Sequence, residues 1–406
     1  MENAPARAEA VRAAISDYHE DLTRIRRDIH AHPELGFEEQ RTAGIVADEL
    51  EKYGLEVYRG IGRTGVVGAL RVGNSPRSVG LRADMDALPI VEGNTFGHKS
   101  THHGVMHACG HDGHTVMLLG AARYLAETRD FNGQVFFIFQ PAEEGLGGAQ
   151  AMLDDGLFEQ FPCECIFGMH NRPSLPLGEF AVRAGAMMAG GAFFDISIDG
   201  KGAHGARPET SIDPVVVGAS IVTALQSIVS RSARPVDTAV VSVTQMHAGD
   251  AYNVIPQTAH LSGTVRTFSN EVMALVEQRM REISTGIASA FGATATVDFR
   301  PIFRPTINNT DEADYAARIC NDLVGRENVD RSPPLIMASE DFSFMLDRVP
   351  GCYINIGNGG LDEHGNSDAC EVHNPGYDFN DAALPLGASF FAHLVEQRLS
   401  PEPPPT

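Results

Sequence analysis

Apolar positions along the first 190 residues alternate between two periods. Residues 7–29 place Ala10, Val11, Ala14, Ile15, Tyr18, Leu22, Ile25 and Ile29 at helical spacing, with arginines and acids on the opposite face. A second helix is expected from Glu38 to Tyr53, closed by Gly54. Short β-type runs follow at Gly65–Leu70 and Ser78–Arg82, then a helix over Thr115–Glu127. Gln134–Phe139 (Gln-Val-Phe-Phe-Ile-Phe) reads as a strand buried on both faces, Gly147–Asp154 as a helix and Cys165–Met169 as another strand. Almost wholly apolar strands alternating with helices indicate an α/β sheet covered on both sides.

The pattern changes after residue 190. An alternating strand over Ala192–Asp199 is followed by a helix that Asp213 caps and Pro214 opens, running to Ser232. Val236–Met246 and Thr258–Thr267 are β-rich, Asn270–Ala290 is a long amphipathic helix, and Ala293–Phe299 is a further strand. Strand-helix-strand-strand-helix-strand is the ferredoxin-like order. After Arg300 the α/β character resumes, with a helix at Glu312–Val324, a strand at Cys352–Ile356 and a terminal helix at Asp381–Leu399. The expected organisation is thus an α/β catalytic domain with a mixed sheet (1–188 and 302–406), interrupted by an inserted α+β lid or dimerisation domain (189–301). The tail 401–405 is expected to be extended and disordered.

Composition narrows the function. The 406-residue chain has 43% hydrophobic and 21% charged residues, as ordinary globular proteins do, and a formal net charge of −22. That charge argues against nucleic-acid binding and against attraction to an anionic membrane. No segment approaches the roughly 20 apolar residues of a membrane span, and residues 1–20 show no signal-peptide core. Six cysteines are too few for a disulfide scaffold and fit the cytoplasm; Cys163 and Cys165 are expected on one strand face as inert thiols.

Chemistry concentrates in Met106–Thr115, which holds Cys109, His107, His111, Asp112 and His114 around two glycines. Thiolate and imidazole suit Zn²⁺ and its first-row neighbours. Cys109 and His111, two residues apart, would point to one side of an extended loop. Asp84 and Asp86 follow a strand, where ligands of open α/β sheets gather. Glu143 and Glu144 follow the buried strand 134–139, and adjacent carboxylates point different ways, so one can bind a metal while the other serves as a base. His170 ends a predicted strand, and His373 lies in a loop before the last helix. Cys109, His111, Glu144, His170 and His373 together suit one or two divalent ions, with Glu143 to spare.

These segments carry a resemblance that runs along nearly the whole chain. HAHPELGFEE (30–39), GLRADMDALPI (80–90), GVMHACGHDGHT (104–115), FQPAEEG (139–145), GMHN (168–171), GKGAHGARPE (200–209), NVIP (253–256), GTVRTF (263–268), SEDF (339–342) and HNPGYDFND (373–381) stand in family order. The chain resembles the metal-dependent aminoacylase and carboxypeptidase superfamily, within it the branch of hippurate hydrolases, N-acyl-amino-acid deacylases and auxin-conjugate hydrolases.

The resemblance implies a metallopeptidase-like fold and hydrolysis of N-acyl amino acids by a metal-activated water. Cys109, His111, Glu144, His170 and His373 would hold one or two ions of Zn, Mn, Ni or Co, and Glu143 would be the general base and acid. From the inserted domain, His204 would stabilise the oxyanion, while Asn253 and Arg266 would bind substrate, the guanidinium holding the free α-carboxylate. A homodimer or dimer-based oligomer is implied as well. One departure stands out: Asp84 occupies the position where the wider superfamily has a metal-binding His. Asp86 is expected to orient a ligand. A dipeptidase or carboxypeptidase on the same scaffold is the alternative, and a noncatalytic metal-dependent binding protein a more distant one.

Overall fold

The computed structural model describes residues 4–360 and 370–400, so the tail 401–405 lies outside them. The chain divides into two compact units. The first comprises the residues up to 185 together with 308–334 and those from 344 onward; the second comprises 186–307 and 335–343.

In the first unit, the apolar period of residues 7–29 is cut into α1 (Ala4–Ser16) and α2 (His19–Ala31) instead of forming one helix. The two halves bury different faces, Ala8, Val11 and Ile15 in α1 and Leu22, Ile25 and Ile29 in α2. The turn at Asp17–Tyr18 lets α1 pack on the terminal helix Leu384–Arg398 while α2 packs on the helix His111–Thr128. After α3 (Gln40–Lys52) come β1 (Glu56–Ile61), β2 (Gly65–Val72) and β3 (Ser78–Asp84). Then follow α4 (His111–Thr128), β4 (Gly133–Gln140) and β5 (Cys165–Pro176).

These strands form most of an eight-stranded mixed sheet in the order β1-β2-β4-β3-β5, continued by Gly351–Gly359, Phe180–Ala181 and Val329–Asp330. β4, β3, β5 and Gly351–Gly359 are mutually parallel neighbours, so their carboxyl ends share one edge. In that register Asp84 lies opposite Gln140, which brings the two acidic segments that follow these strands together.

Val135, Phe137, Ile138 and Phe139 of β4 are fully buried, and burial of each such side chain contributes roughly 1.5–3 kcal/mol. α4 is buried on every side from Val116 to Ala122, because it packs against β3 on one side and against α2 and the terminal helix on others. It begins at His111, four residues earlier than expected. β5 runs past its expected end to Pro176, which places His170 inside the strand; it begins at Cys165, leaving the half-buried Cys163 outside it.

The second unit has its own core. Four antiparallel strands lie in the order Ala239–His247, Thr258–Thr267, Gly190–Asp199, Thr294–Phe303. Helices Pro214–Ser227 and Asn270–Ala290 bury Val217, Ile221, Leu225, Val276 and Met280 against them. Asp213 accepts the Val215 N–H as the N-cap. The stretch Pro214–Ser232, whose last turn is π-helical, is long and apolar enough by length and composition to cross a membrane, contrary to the expectation from sequence. Its inner face is committed to this core, whereas Val215, Val216 and Val229 are exposed.

Candidate metal centre

Four segments of the first unit bring the five expected ligands together. Cys109 sits just before α4 and His111 is its first residue, so the pair flanks a helix start and not an extended loop. Gly110 makes the corner with φ +94°, and a Cβ there would lie 2.2 Å from Asn171 Oδ1 and 2.6 Å from the Tyr377 hydroxyl. Only glycine fits. Glu143 and Glu144 follow β4, His170 projects from β5, and His373 comes from the loop before the terminal helix.

Their ligand atoms overlap in three groups, each within 4.8 Å: Cys109, His111 and His170; Cys109, Glu144 and His373; His111, Glu143 and Glu144. Cys109 Sγ lies 3.3 Å from His170 Nε2, and His373 Nε2 is 3.2 Å from Glu144 Oε1. His111 Nε2 is buried and faces Glu144 Oε1 at 4.0 Å. A thiolate, three imidazoles and a carboxylate gathered this closely fit first-row divalent ions.

The local backbone is held in unusual conformations. Ala142, ahead of the glutamates, has φ +51°, and His373 has φ +63°. Non-glycine residues in that region cost on the order of 1–3 kcal/mol and persist where surroundings over-determine them. Ala142 donates its N–H to Glu39 Oε1 (2.8 Å), and the other Glu39 oxygen accepts from the Thr64 hydroxyl (2.6 Å). His373 donates its N–H to the Ala108 carbonyl (2.7 Å), which ties its loop to the strand of residues leading into Cys109.

Asp86 joins two ligand segments: Oδ1 accepts from His111 Nδ1 at 3.1 Å and Oδ2 from the Glu144 N–H at 2.9 Å. Burial opposes a charge on His111, but Asp84, Cys109 and Asp86 outweigh it and raise its pKa. Burial, reinforced by His114, lowers that of His170, keeping it the neutral imidazole a metal requires. Burial and Glu144 raise the Cys109 thiol, with His111 and His373 pulling the other way. Hydrogen bonds to Cys109 and Glu144 raise His373 to about 10.

Three expected site residues belong to the second unit. His204 is exposed on the two-residue strand Ala203–His204, paired with Val254–Ile255, and its Nδ1 accepts the Ala206 N–H at 3.0 Å. Asn253 is exposed beside that ribbon, and its carbonyl accepts the Gly205 N–H at 2.7 Å. Arg266 is half-buried opposite Gly191, where a side chain would lie 3.1 Å from its Nη1, and it donates to Thr264 Oγ1 and the Val265 carbonyl.

The sequence reading missed a second layer of buried charge. Arg26, with its side chain fully buried, pairs with Asp112, Asp378 and Asp381. His30 sits between Asp112 (2.9 Å) and Glu92 (3.3 Å). Glu34 accepts the Arg41 and Thr42 N–H groups at the start of α3. Of this layer, His30 and Glu34 lie in the segment 30–39 that carries the resemblance.

Comparison with known proteins agrees with this geometry. Peptidase family M20/M25/M40 matches residues 80–397. Hippurate hydrolase of Campylobacter jejuni is 43% identical over 381 residues, covering 94% of this chain and 97% of that protein. An IAA-amino acid hydrolase of Arabidopsis thaliana is 42% identical over 383 residues, 93% of this chain and 85% of the relative. A crystal structure from Bacillus subtilis, described as a dinuclear metal-binding peptidase of the M20 family, superposes with a TM-score of 0.82 at 34% identity, covering 95% and 99% of the two chains. The protein belongs to peptidase family M20/M25/M40 and is an amidohydrolase.

Proposed function

We propose that the protein hydrolyses the amide bond joining an acyl group to an amino acid, with one or two divalent ions held by Cys109, His111, Glu144, His170 and His373. The convergence of these five donors beside Glu143 carries the reading. The activities named for the Campylobacter and Arabidopsis relatives support the substrate class. When bound, the ions polarise the scissile carbonyl and bring the pKa of water from 15.7 towards about 7.

Glu143, almost buried next to Glu144, takes the proton of the attacking water and returns it to the leaving nitrogen. Asp86 keeps His111 and the Glu144 backbone in register. In the second unit we assign Arg266 to the substrate carboxylate, Asn253 to substrate binding and His204 to the oxyanion. Thiolate and imidazole favour Zn, Ni or Co over Mg or Ca, and the Glu144 carboxylate admits Mn as well.

The exposed apolar face of Pro214–Ser232 supports a homodimer through the second unit. Val216→Glu is then expected to yield monomers in sedimentation velocity, and a wild-type monomer would remove this assignment. Six free thiols support a cytoplasmic location.

The deciding experiment assays hippurate, N-acetyl amino acids and unblocked dipeptides after metal depletion and after reloading with each ion. Release of amino acid from the N-acyl substrates, abolished by chelator and restored by metal, is the expected result. The peptidase described for the Bacillus structure favours a second reading, dipeptide hydrolysis. Cleavage of dipeptides alone would establish that reading, and inertness of the loaded protein would remove both.

A further inference from the structure

We propose that Asp84 and His114 are positioning residues that aim His170 and the start of α4 at the metal centre, an assignment that rests on the ligand set above. They form the middle of a buried chain of polar groups, Arg82–Asp84–His114–Asn171–Tyr377–Asn358, none more than 4% exposed. Arg82 Nη1 donates to Asp84 Oδ2 at 2.7 Å, and His114 Nδ1 donates to Asp84 Oδ1 at 2.6 Å. His114 Nε2 lies 3.0 Å from the Asn171 backbone nitrogen and 2.6 Å from Asn171 Oδ1. The Asn171 side-chain amide reaches the Tyr377 hydroxyl at 2.8 Å, which Asn358 approaches at 3.3 Å.

Each link lies on a segment that carries a ligand or supports one. Asp84 ends β3, His114 is one turn into α4 after His111, Asn171 follows His170, and Tyr377 follows His373. The Thr115 hydroxyl also donates to the Asp84 carbonyl at 2.8 Å, clamping α4 to the end of β3. His170 Nδ1 donates to the Asn171 carbonyl at 2.6 Å, which leaves Nε2 directed at Cys109. The Asn171 peptide thus holds the His170 ring, and His114 holds the N–H of that residue.

Asp84 and His114 group with His111 within 4.8 Å, but their polar atoms are committed to other partners. Both Asp84 oxygens and both His114 nitrogens are engaged, and Asp84 Oδ2 lies 3.9 Å from His111 Nε2. Where the wider superfamily is expected to carry a metal-binding His, this chain has a carboxylate turned away to Arg82 and His114. The ligand nitrogen at that side comes from His111, which has its own orienting carboxylate in Asp86.

The test titrates metal-depleted full-length protein with Co²⁺ alone, following the thiolate-to-cobalt absorption and the d–d bands, with affinities from chelator competition. Removing an outer partner of a metal ligand typically weakens affinity by about 10- to 100-fold, and Asp84→Asn and His114→Ala should each fall in that range with altered d–d bands. Far-UV circular dichroism and thermal unfolding of the metal-free proteins establish that each variant is folded. His114→Gln, which offers an amide near the place of Nε2, should recover part of the affinity and serves as the test where His114→Ala does not fold. Co²⁺ affinity within about twofold of wild type and unchanged bands in the folded variants would overturn the proposal. Failure of the wild type to bind Co²⁺ would instead overturn the ligand assignment, and this inference with it.

Discussion

The metal centre of the first unit and the candidate substrate groups of the second are built in opposite ways. Cys109 and His111 are buried, His170 and Glu144 half-buried and His373 exposed, yet contacts from segments distant in sequence hold them: Asp86 to His111 and Glu144, Glu39 to Ala142 ahead of Glu143, Ala108 to His373. His204 and Asn253 are exposed on a two-residue ribbon whose hydrogen bonds are local to it. The difference separates two tasks. Metal geometry must exist before the ion arrives, so the fold pre-organises it. Exposed groups that meet a substrate lose conformational freedom when it binds, which costs part of the binding free energy.

The comparison is broken most sharply at Glu143. Glu143→Gln keeps the shape and the hydrogen-bonding capacity of the side chain but removes its ability to take a proton. The expected outcome is a fall in kcat of about 10²- to 10⁴-fold, with Co²⁺ affinity and unfolding temperature near wild type. Near-native kcat would show that the base lies elsewhere, and loss of the metal would move Glu143 into the ligand set.

The buried layer beneath the centre gives the next largest effect, and it is one of stability. Burial opposes a charge on His30, yet hydrogen bonds to Asp112 and Glu92 outweigh it and raise the pKa from 6.5 to about 9. A raised folded-state pKa contributes stability that is fully present below 6.5 and is lost as pH rises through about 9. The contribution is at most about 3 kcal/mol at 1.36 kcal/mol per unit. Urea unfolding of metal-free protein at steps between these pH values should show the decline, and His30→Gln should flatten it. Equal slopes in the two proteins would assign the decline to other groups.

That layer also marks the limit of what the sequence disclosed. That Cys109, His111, Glu144, His170 and His373 come together was legible because metal chemistry restricts side-chain type and because the expected strands 134–139 and 165–169 announced where loops begin. The helical start at His111 was not, since it depends on Gly110 turning against Asn171 and Tyr377, which come from distant segments. The break between α1 and α2 was hidden because both halves keep one apolar period and only their packing partners differ. His30, Glu34 and Glu39 had no assigned role in the sequence, because their partners Asp112, the start of α3 and Ala142 come from other segments. The inclusion of 335–343 in the second unit has no local signal at all, being a matter of long-range contact.

Arg266 tests the other side of the comparison, where the expected effect is smallest. Its guanidinium is half-buried, with Nη1 donating to Thr264 and the Val265 carbonyl, while Gly191 across the strand leaves it room. Hydrogen bonds to a charged group are worth about 1.5–3 kcal/mol, so Arg266→Ala should lower kcat/KM by roughly 10- to 150-fold. A group that holds the carboxylate equally in ground and transition states acts mainly through KM, and substrates whose carboxylate is amidated should lose the discrimination between wild type and variant. Arg266→Lys should recover only part of the effect, because an ammonium cannot reproduce the two-pronged contact. Metal affinity should stay unchanged throughout. A variant that lost metal along with substrate affinity would show that the second unit shares in the pre-organisation assigned here to the first.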